Sequence, residues 1–289
     1  MKYLVTGVTG QLGYDLKKQL LKQNQEVFAP TRAQMDIQDE ESVRKVVKAY
    51  QPDIIIHCAA YTAVDKAEQE KEKAYTTNVI GTKNLTLASI ENAAKMVYIS
   101  TDYVFDGKKN GIYHEDDIVH PINIYGKTKE LGEEMTRQNP NHLIARISWV
   151  FGVNGNNFVK TMVKLGQTHD HLTVVNDQVG SPTYTKDIAK RLIAMSRNEI
   201  YGTYHLTNDG YCTWNELASY IFETTKQEVE VEGITTEKYY ENSKNIIAAR
   251  PKNSKLSKEK LENLGFPKLP TWQEAVEDYC KVLKKKGLN

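Results

Sequence analysis

A phenol and an ammonium group stand four residues apart at Tyr125 and Lys129, in the run Asn123-Ile124-Tyr125-Gly126-Lys127-Thr128-Lys129. On a helix, positions four apart share a face, so the spacing predicts both groups in one pocket. An ammonium near a phenol favours the phenolate and draws its pKa down from about 10, which suits proton exchange with a carbonyl or an alcohol. The same chain opens on the turn Gly7-Val8-Thr9-Gly10-Gln11-Leu12-Gly13. Glycines in such a turn let the backbone bend tightly and approach a pyrophosphate, whose charge then rests at the positive end of the following helix.

Both features need a frame to hold them. Residues 2–6 read as a short buried strand, and Leu16 and Leu20 give the residues after the turn a helical period. Strand, glycine turn and helix form a dinucleotide-binding opening, here in the looser form with glycines three apart rather than G-x-G-x-x-G. Residues 26–29 predict a second strand, 39–50 a helix with Val43, Val46 and Val47 inward, and 53–60 a third strand. A long helical stretch through Ala74, Asn78, Thr82 and Leu85 leads to a fourth strand, 96–101, which ends in the hydroxyls of Ser100 and Thr101. Residues 142–146 predict a fifth strand, apolar enough to be covered on both faces. The alternation specifies an α/β fold: a Rossmann-type, doubly wound parallel sheet with right-handed crossovers. Ligands of such sheets collect at the carboxyl ends of the strands, where Gly7, Ala59, Ala60, Thr101 and Arg146 fall.

The set Gly7-x-x-Gly10-x-x-Gly13, Ala59-Ala60, Ser100-Thr101 and Tyr125-x-x-x-Lys129 resembles the extended short-chain dehydrogenase/reductase superfamily over the N-terminal two-thirds of the chain. More narrowly, the chain is similar to the dTDP-4-dehydrorhamnose reductase family. The phrases that carry this are Tyr61-Thr62-Ala63-Val64-Asp65-Lys66-Ala67-Glu68, Ser100-Thr101-Asp102-Tyr103-Val104-Phe105, Ser148-Trp149-Val150-Phe151-Gly152 and Asn154-Gly155-Asn156-Asn157-Phe158. Asn176-Asp177-Gln178-x-Gly180-Ser181-Pro182-Thr183 and Arg250-Pro251-x-Asn253-Ser254-x-Leu256 extend the likeness toward the C-terminus.

The resemblance implies hydride transfer from a reduced nicotinamide to the 4-keto carbon of dTDP-4-dehydro-L-rhamnose, giving dTDP-L-rhamnose. Tyr125 would donate the proton to the new alkoxide, Lys129 would lower its pKa and bond the nicotinamide ribose, and Thr101 would orient the carbonyl oxygen. Gly7, Gly10, Gln11, Leu12, Gly13 and Ile99 would hold the cofactor, with Asp36 and Ile37 bordering its adenine and Ala59, Ala60, Tyr61 and Thr62 lining its path. A carboxylate at the end of the second strand would favour NAD over NADP. Arg32 follows that strand instead, so NADPH is expected as cofactor, with NADH also accepted. Asp102, Trp149, Asn157, Gln178 and Arg250 are the further residues expected around the nucleotide-sugar substrate, the guanidinium of Arg250 on its diphosphate.

Sister reactions differ at Thr101-Asp102-Tyr103. Sugar-nucleotide 4,6-dehydratases of the superfamily resemble Thr-Asp-Glu here, and the missing glutamate argues against elimination. Epimerases and other nucleotide-sugar reductases reuse the same Tyr and Lys and stay open as alternatives. Some proteins resembling this family bind NADP as non-catalytic regulatory subunits, but they are expected to lack the catalytic set that this chain keeps. The resemblance also brings Mg²⁺ and dimer formation through C-terminal carboxylates. No acidic residue follows Asp278, so no metal site is expected, and a monomer or weak homodimer is.

The 289 residues accommodate a cofactor-binding domain over 1–150, with later segments returning to it, and a smaller substrate-binding lobe over 151–289. A formal net charge of +1 gives no reason to expect nucleic acid as partner. Cys58, Cys212 and Cys280 are too few and scattered for a disulfide framework, which suits the cytoplasm, and no apolar run predicts a signal segment or a membrane span. Thr213-Trp214-Asn215-Glu216 and Thr271-Trp272-Gln273-Glu274 each fit a helix capping box, which makes Trp214 and Trp272 packing anchors rather than ligand contacts.

Overall fold

A computed structural model of the chain describes residues 1–241 and 247–288. Six strands, β1 (Lys2–Thr6), β2 (Glu26–Phe28), β3 (Ile54–His57), β4 (Lys95–Thr101), β5 (His142–Ile147) and β6 (Gly202–His205), form one parallel sheet in the order β6-β5-β4-β3-β1-β2. Alternate side chains explain why these runs are apolar throughout. Tyr3, Val5, Ile54, Ile56 and Val97 face the helices Gln11–Lys22 and Thr185–Arg197, whereas Leu4, Ile55 and Met96 face Glu40–Tyr50 and Gly81–Glu91. After β2 the chain passes back over β1 to lay down β3, so the winding direction reverses between β1 and β3. The carboxyl edge at such a reversal is open to a ligand.

Two local departures from the sequence reading matter for the site. The third strand stops at His57, and Cys58, Ala59 and Ala60 turn out over the sheet edge. The reason is Gly7, which lies so close to this bend that a Cβ on it would stand 2.5 Å from the Ala59 nitrogen. The long helical stretch is also interrupted: a π-helical turn, Thr76–Ile80, separates Lys71–Tyr75 from Gly81–Glu91. Inside that turn the Asn78 amide accepts from the Tyr61 nitrogen at 2.8 Å and donates to Thr128 Oγ1 at 2.9 Å. It joins the bend after β3 to the helix Ile124–Thr136 that carries Tyr125 and Lys129.

Residues beyond 150 serve two cores. The helix Thr185–Arg197 and β6 return to the main sheet. The rest packs the helices Phe158–Leu165, Trp214–Thr225 and Trp272–Lys285 around Phe151, Val163, Leu217, Ile221, Val276 and Tyr279, next to a parallel strand pair, His171–Val175 and Glu230–Ile234. Both capping boxes form as the sequence predicts, with Glu216 and Glu274 each closing on the threonine three residues before it.

Candidate active site

One cavity of about 800 Å³ lies along the carboxyl edge of the sheet and runs to the second core. Its floor is the glycine turn. Gly7 holds a left-handed φ of +69°, and a Cβ on Gly13 would stand 2.4 Å from the Gly7 carbonyl oxygen, so neither place accepts a side chain. The helix Gln11–Lys22 starts at Gly10 with no side-chain cap. Its first N–H groups therefore need other partners, and Gly10 to Gly13 line the cavity. A cradle that a Cβ would fill, at an uncapped helix start, fits the pyrophosphate of a dinucleotide. Arg32, Met35, Asp36, Ile37 and Gln38 line the cavity beside β2, where Arg32 Nε donates to Asp36 Oδ2 at 3.2 Å.

The catalytic candidates stand on the opposite wall. Asn123 caps the helix Ile124–Thr136 by accepting from the Gly126 nitrogen at 2.7 Å, and Glu68 accepts from the Ile124 nitrogen at 2.8 Å. Gly126 brings this helix against the turn Asp102–Val104, since a Cβ there would meet the Tyr103 carbonyl oxygen at 2.2 Å. Tyr125 thus lies edge-on to Tyr103, with ring centroids 5.6 Å apart, and Thr101, Tyr125 and Lys129 all line the cavity. The Thr101 hydroxyl donates to Asp102 Oδ1 at 3.0 Å.

Electrostatics here are governed by loss of solvent. Lys129 Nζ donates to the Ile99 carbonyl at 2.6 Å and lies 4.0 Å from the Tyr98 ring centroid. Burial lowers its pKa to about 7, against the opposing pull of Glu133 and Cys58. Burial also pushes the Tyr125 phenol above its ordinary value, more than its contact with Thr101 draws it down, and the Asp102 charge adds to the rise. The depressed phenol pKa expected from the Tyr/Lys spacing is therefore not what this pocket produces: desolvation dominates, and Thr101 rather than Lys129 is the group that draws the phenol down. Asp102 is held up at about 6 by burial, against the nearby Ser254 hydroxyl and the hydrogen bond from Thr101. His57, beneath the floor, is lowered to about 3 by burial with Lys129 adding to it, and bonds Thr6 and Thr82 through its two ring nitrogens as a neutral imidazole.

Of the residues singled out in the sequence, Gly7, Gly10, Gln11, Leu12, Gly13, Arg32, Asp36, Ile37, Ala59, Ala60, Thr62, Ile99, Thr101, Asp102, Tyr125, Lys129 and Trp149 line this cavity. Five do not, because other groups engage them. Tyr61 gives its hydroxyl to Glu70 at 2.8 Å. Asn157 caps the helix Phe158–Leu165, and its amide nitrogen lies within 3.0 Å of Gln11 Oε1, the Gly152 carbonyl and Tyr279 Oη. Gln178 is buried between Thr236 Oγ1 and Trp214 Nε1. Arg250 binds Asp65 at 2.9 Å and the Ala248 carbonyl at 3.1 Å. Arg146, near the end of β5, turns away into a two-pronged pair with buried Glu133 at 2.9 and 2.8 Å.

Trp214 packs against the second core as expected, and has a further place beside the cavity. It lines the cavity and stacks on Trp149 with centroids 3.6 Å apart and planes 9° from parallel. Trp149 takes a left-handed φ of 47°, and Gly180 leaves room for its indole, which a Cβ would meet at 2.6 Å. A left-handed backbone at a non-glycine residue costs roughly 1–2 kcal/mol, here sustained by the stack. The capping box at Thr213 marked where this second tryptophan begins its helix. Nothing local marked its partner.

The RmlD substrate binding domain model matches residues 1–285. The chain is 45% identical to the spore coat polysaccharide biosynthesis protein SpsK of Bacillus subtilis (strain 168), over 97% of each chain. It is 40% identical to a dTDP-4-dehydrorhamnose reductase of Aggregatibacter actinomycetemcomitans, over 96% of this chain and 97% of that one. Among solved structures, the dTDP-4-dehydrorhamnose reductase of Bacillus anthracis in complex with NADP superimposes with a TM-score of 0.91 at 41% identity, covering 96% of this chain and 97% of that one. The Thermus thermophilus UDP-glucose 4-epimerase, with a TM-score of 0.81 over 96% of this chain and 97% of that one at 19% identity, shares the fold. The chain belongs to the RmlD family, the family of the dTDP-4-dehydrorhamnose reductases.

Proposed function

We propose that this protein reduces the 4-keto group of dTDP-4-dehydro-L-rhamnose to give dTDP-L-rhamnose, with NADPH as cofactor and NADH also accepted. The observation that carries the reading is one cavity with a glycine turn that admits no side chain at Gly7 or Gly13 on one wall and Thr101, Tyr125 and Lys129 on the other. The cofactor supplies the hydride. Gly7 to Gly13 would hold its pyrophosphate, Arg32 would meet the adenosine ribose, Asp36 and Ile37 would border the adenine, and Ile99 and Lys129 would border the nicotinamide end.

The remaining chemistry belongs to side chains. Tyr125, kept neutral by burial, hands its proton to the oxygen that becomes the alcohol. An alkoxide is a far stronger base than a phenolate, so a raised phenol pKa does not prevent this transfer. The Lys129 ammonium then stabilises the phenolate that remains. Thr101, whose hydroxyl rests on Asp102, turns its one proton to the substrate oxygen and orients it beside Tyr125. The stacked indoles of Trp149 and Trp214 offer an apolar face to the sugar nucleotide.

The protein works as a monomer or a weak dimer. The acids of the last helix already have partners within the chain: Asp278 pairs with Lys186 at 2.6 Å, and Glu277 accepts from Tyr220 Oη at 2.8 Å.

The test is cofactor oxidation with freshly generated dTDP-4-dehydro-L-rhamnose, run with NADPH and with NADH, beside a Tyr125→Phe variant. Turnover is expected with both cofactors, in favour of NADPH, and the variant should lose at least about a hundredfold in kcat. Intact protein that binds NADPH without turning over the sugar would refute the reading.

A further inference from the structure

We propose that Gln11, Asn154 and Asn157 form a clasp that couples the dinucleotide turn to the sugar-nucleotide end of the cavity, so that each ligand tightens the binding of the other. The inference rests on the reaction proposed above, which puts two ligands in this cavity.

The clasp joins residues nearly 150 positions apart in the chain. Asn154 donates to the Thr9 carbonyl at 2.7 Å and to the Gly10 carbonyl at 3.3 Å. Gln11 Oε1 accepts from Asn157 at 2.9 Å, and Gln11 Nε2 reaches the Val150 carbonyl at 3.4 Å. These bonds draw the turn's carbonyls toward the second lobe. A carbonyl whose lone pair accepts from Asn154 repels a nearby anion less, so the arrangement that suits Asn154 also suits a bound pyrophosphate.

The loop that makes these contacts carries Trp149 at its other end. Between the two ends it is held firmly: Lys160 Nζ donates to the Val153 and Gly155 carbonyls, each at 2.7 Å, and Tyr279 Oη donates to the Gly152 carbonyl at 2.6 Å. Trp149 is fixed in turn by its stack on Trp214 and by the Thr183 nitrogen, which donates to its carbonyl at 3.1 Å. A ligand that shifts the glycine turn therefore shifts the indole platform through one rigid segment, and linkage requires the converse.

The experiment is calorimetric titration of dTDP-L-rhamnose into the full chain, free and saturated with NADP⁺, for wild type, Asn157→Ser and Gln11→Ala. Serine keeps the helix cap to the Lys160 nitrogen and is too short to reach Gln11. NADP⁺ should tighten sugar-nucleotide binding at least about fivefold in wild type. In both variants that factor should fall toward one, while affinity measured without NADP⁺ moves less. Melting followed by circular dichroism shows whether each variant is folded, and Gln11→Ala carries the test if Asn157→Ser is not. A wild-type factor of one, or an unchanged factor in the folded variants, overturns the clasp alone if the sugar is still bound and turned over. Binding of NADP⁺ without any binding of the sugar nucleotide overturns the reaction and the clasp together.

Discussion

Lys129 is the side chain through which pH should act on this enzyme. Its pKa is lowered to about 7 by burial, so it is an ammonium below that pH and neutral above it. Only the ammonium stabilises the phenolate left on Tyr125. We therefore expect kcat/KM for reduction to fall as pH rises through about 7, with the slope of one proton loss. A profile flat from neutral to strongly alkaline pH would remove Lys129 from proton transfer. The types and spacing of Tyr125, Lys129 and Thr101 were legible in the sequence because their neighbours along the chain set their direction. The partners of Asn157, Gln178 and Arg250 were not. A polar side chain far from the turn reads the same whether it meets a ligand or, as these do, another segment of the fold. The sign of the Tyr125 shift was hidden for a related reason, since spacing reports a neighbouring charge but not how much water the fold removes.

The helix Ile124–Thr136 works because two of its residues have no side chain. Gly126 lets it touch the turn after β4, and Gly132 lets it approach Tyr98, whose hydroxyl a Cβ would meet at 2.2 Å. A methyl group at position 126 has nowhere to go except by moving the helix away from the Tyr103 backbone. Displacement by about 1 Å at reacting groups can cost about a hundredfold in rate, and overpacking costs roughly 1–3 kcal/mol. Gly126→Ala should accordingly lower kcat at least about tenfold and lower the melting temperature. A variant with wild-type kcat would show that the close approach does not position Tyr125. The strands could be read directly, because a sheet covered on both faces turns into unbroken apolar runs such as Ile54-Ile55-Ile56. The π-helical turn could not, since one extra residue in a helical turn hardly disturbs the apolar period on either side of it.

Across the whole molecule, one sheet edge supplies the glycine turn and the side chains of Thr101, Tyr125 and Lys129, while a second core supports the paired indoles. That division follows from the winding reversal between β1 and β3 together with the return of β6 and the helix Thr185–Arg197 to the first core. Light scattering should give a monomer or a weak, concentration-dependent dimer whether or not Mg²⁺ is added. A stable dimer that forms only with Mg²⁺ would contradict this, and would require Asp278 or Glu277 to leave its partner.

The stack of Trp149 on Trp214 also has an optical consequence. The chain has three tryptophans, and the third, Trp272, is buried in the second core and lines no part of the cavity. Two indoles in face-to-face contact absorb and emit as a coupled pair, and that coupling depends on their separation and tilt. Whatever enters this end of the cavity and parts or covers the pair alters the near-ultraviolet dichroism and the emission, over a steady background from Trp272. The protein thus carries its own spectroscopic reporter for this end of its cavity, with no label attached.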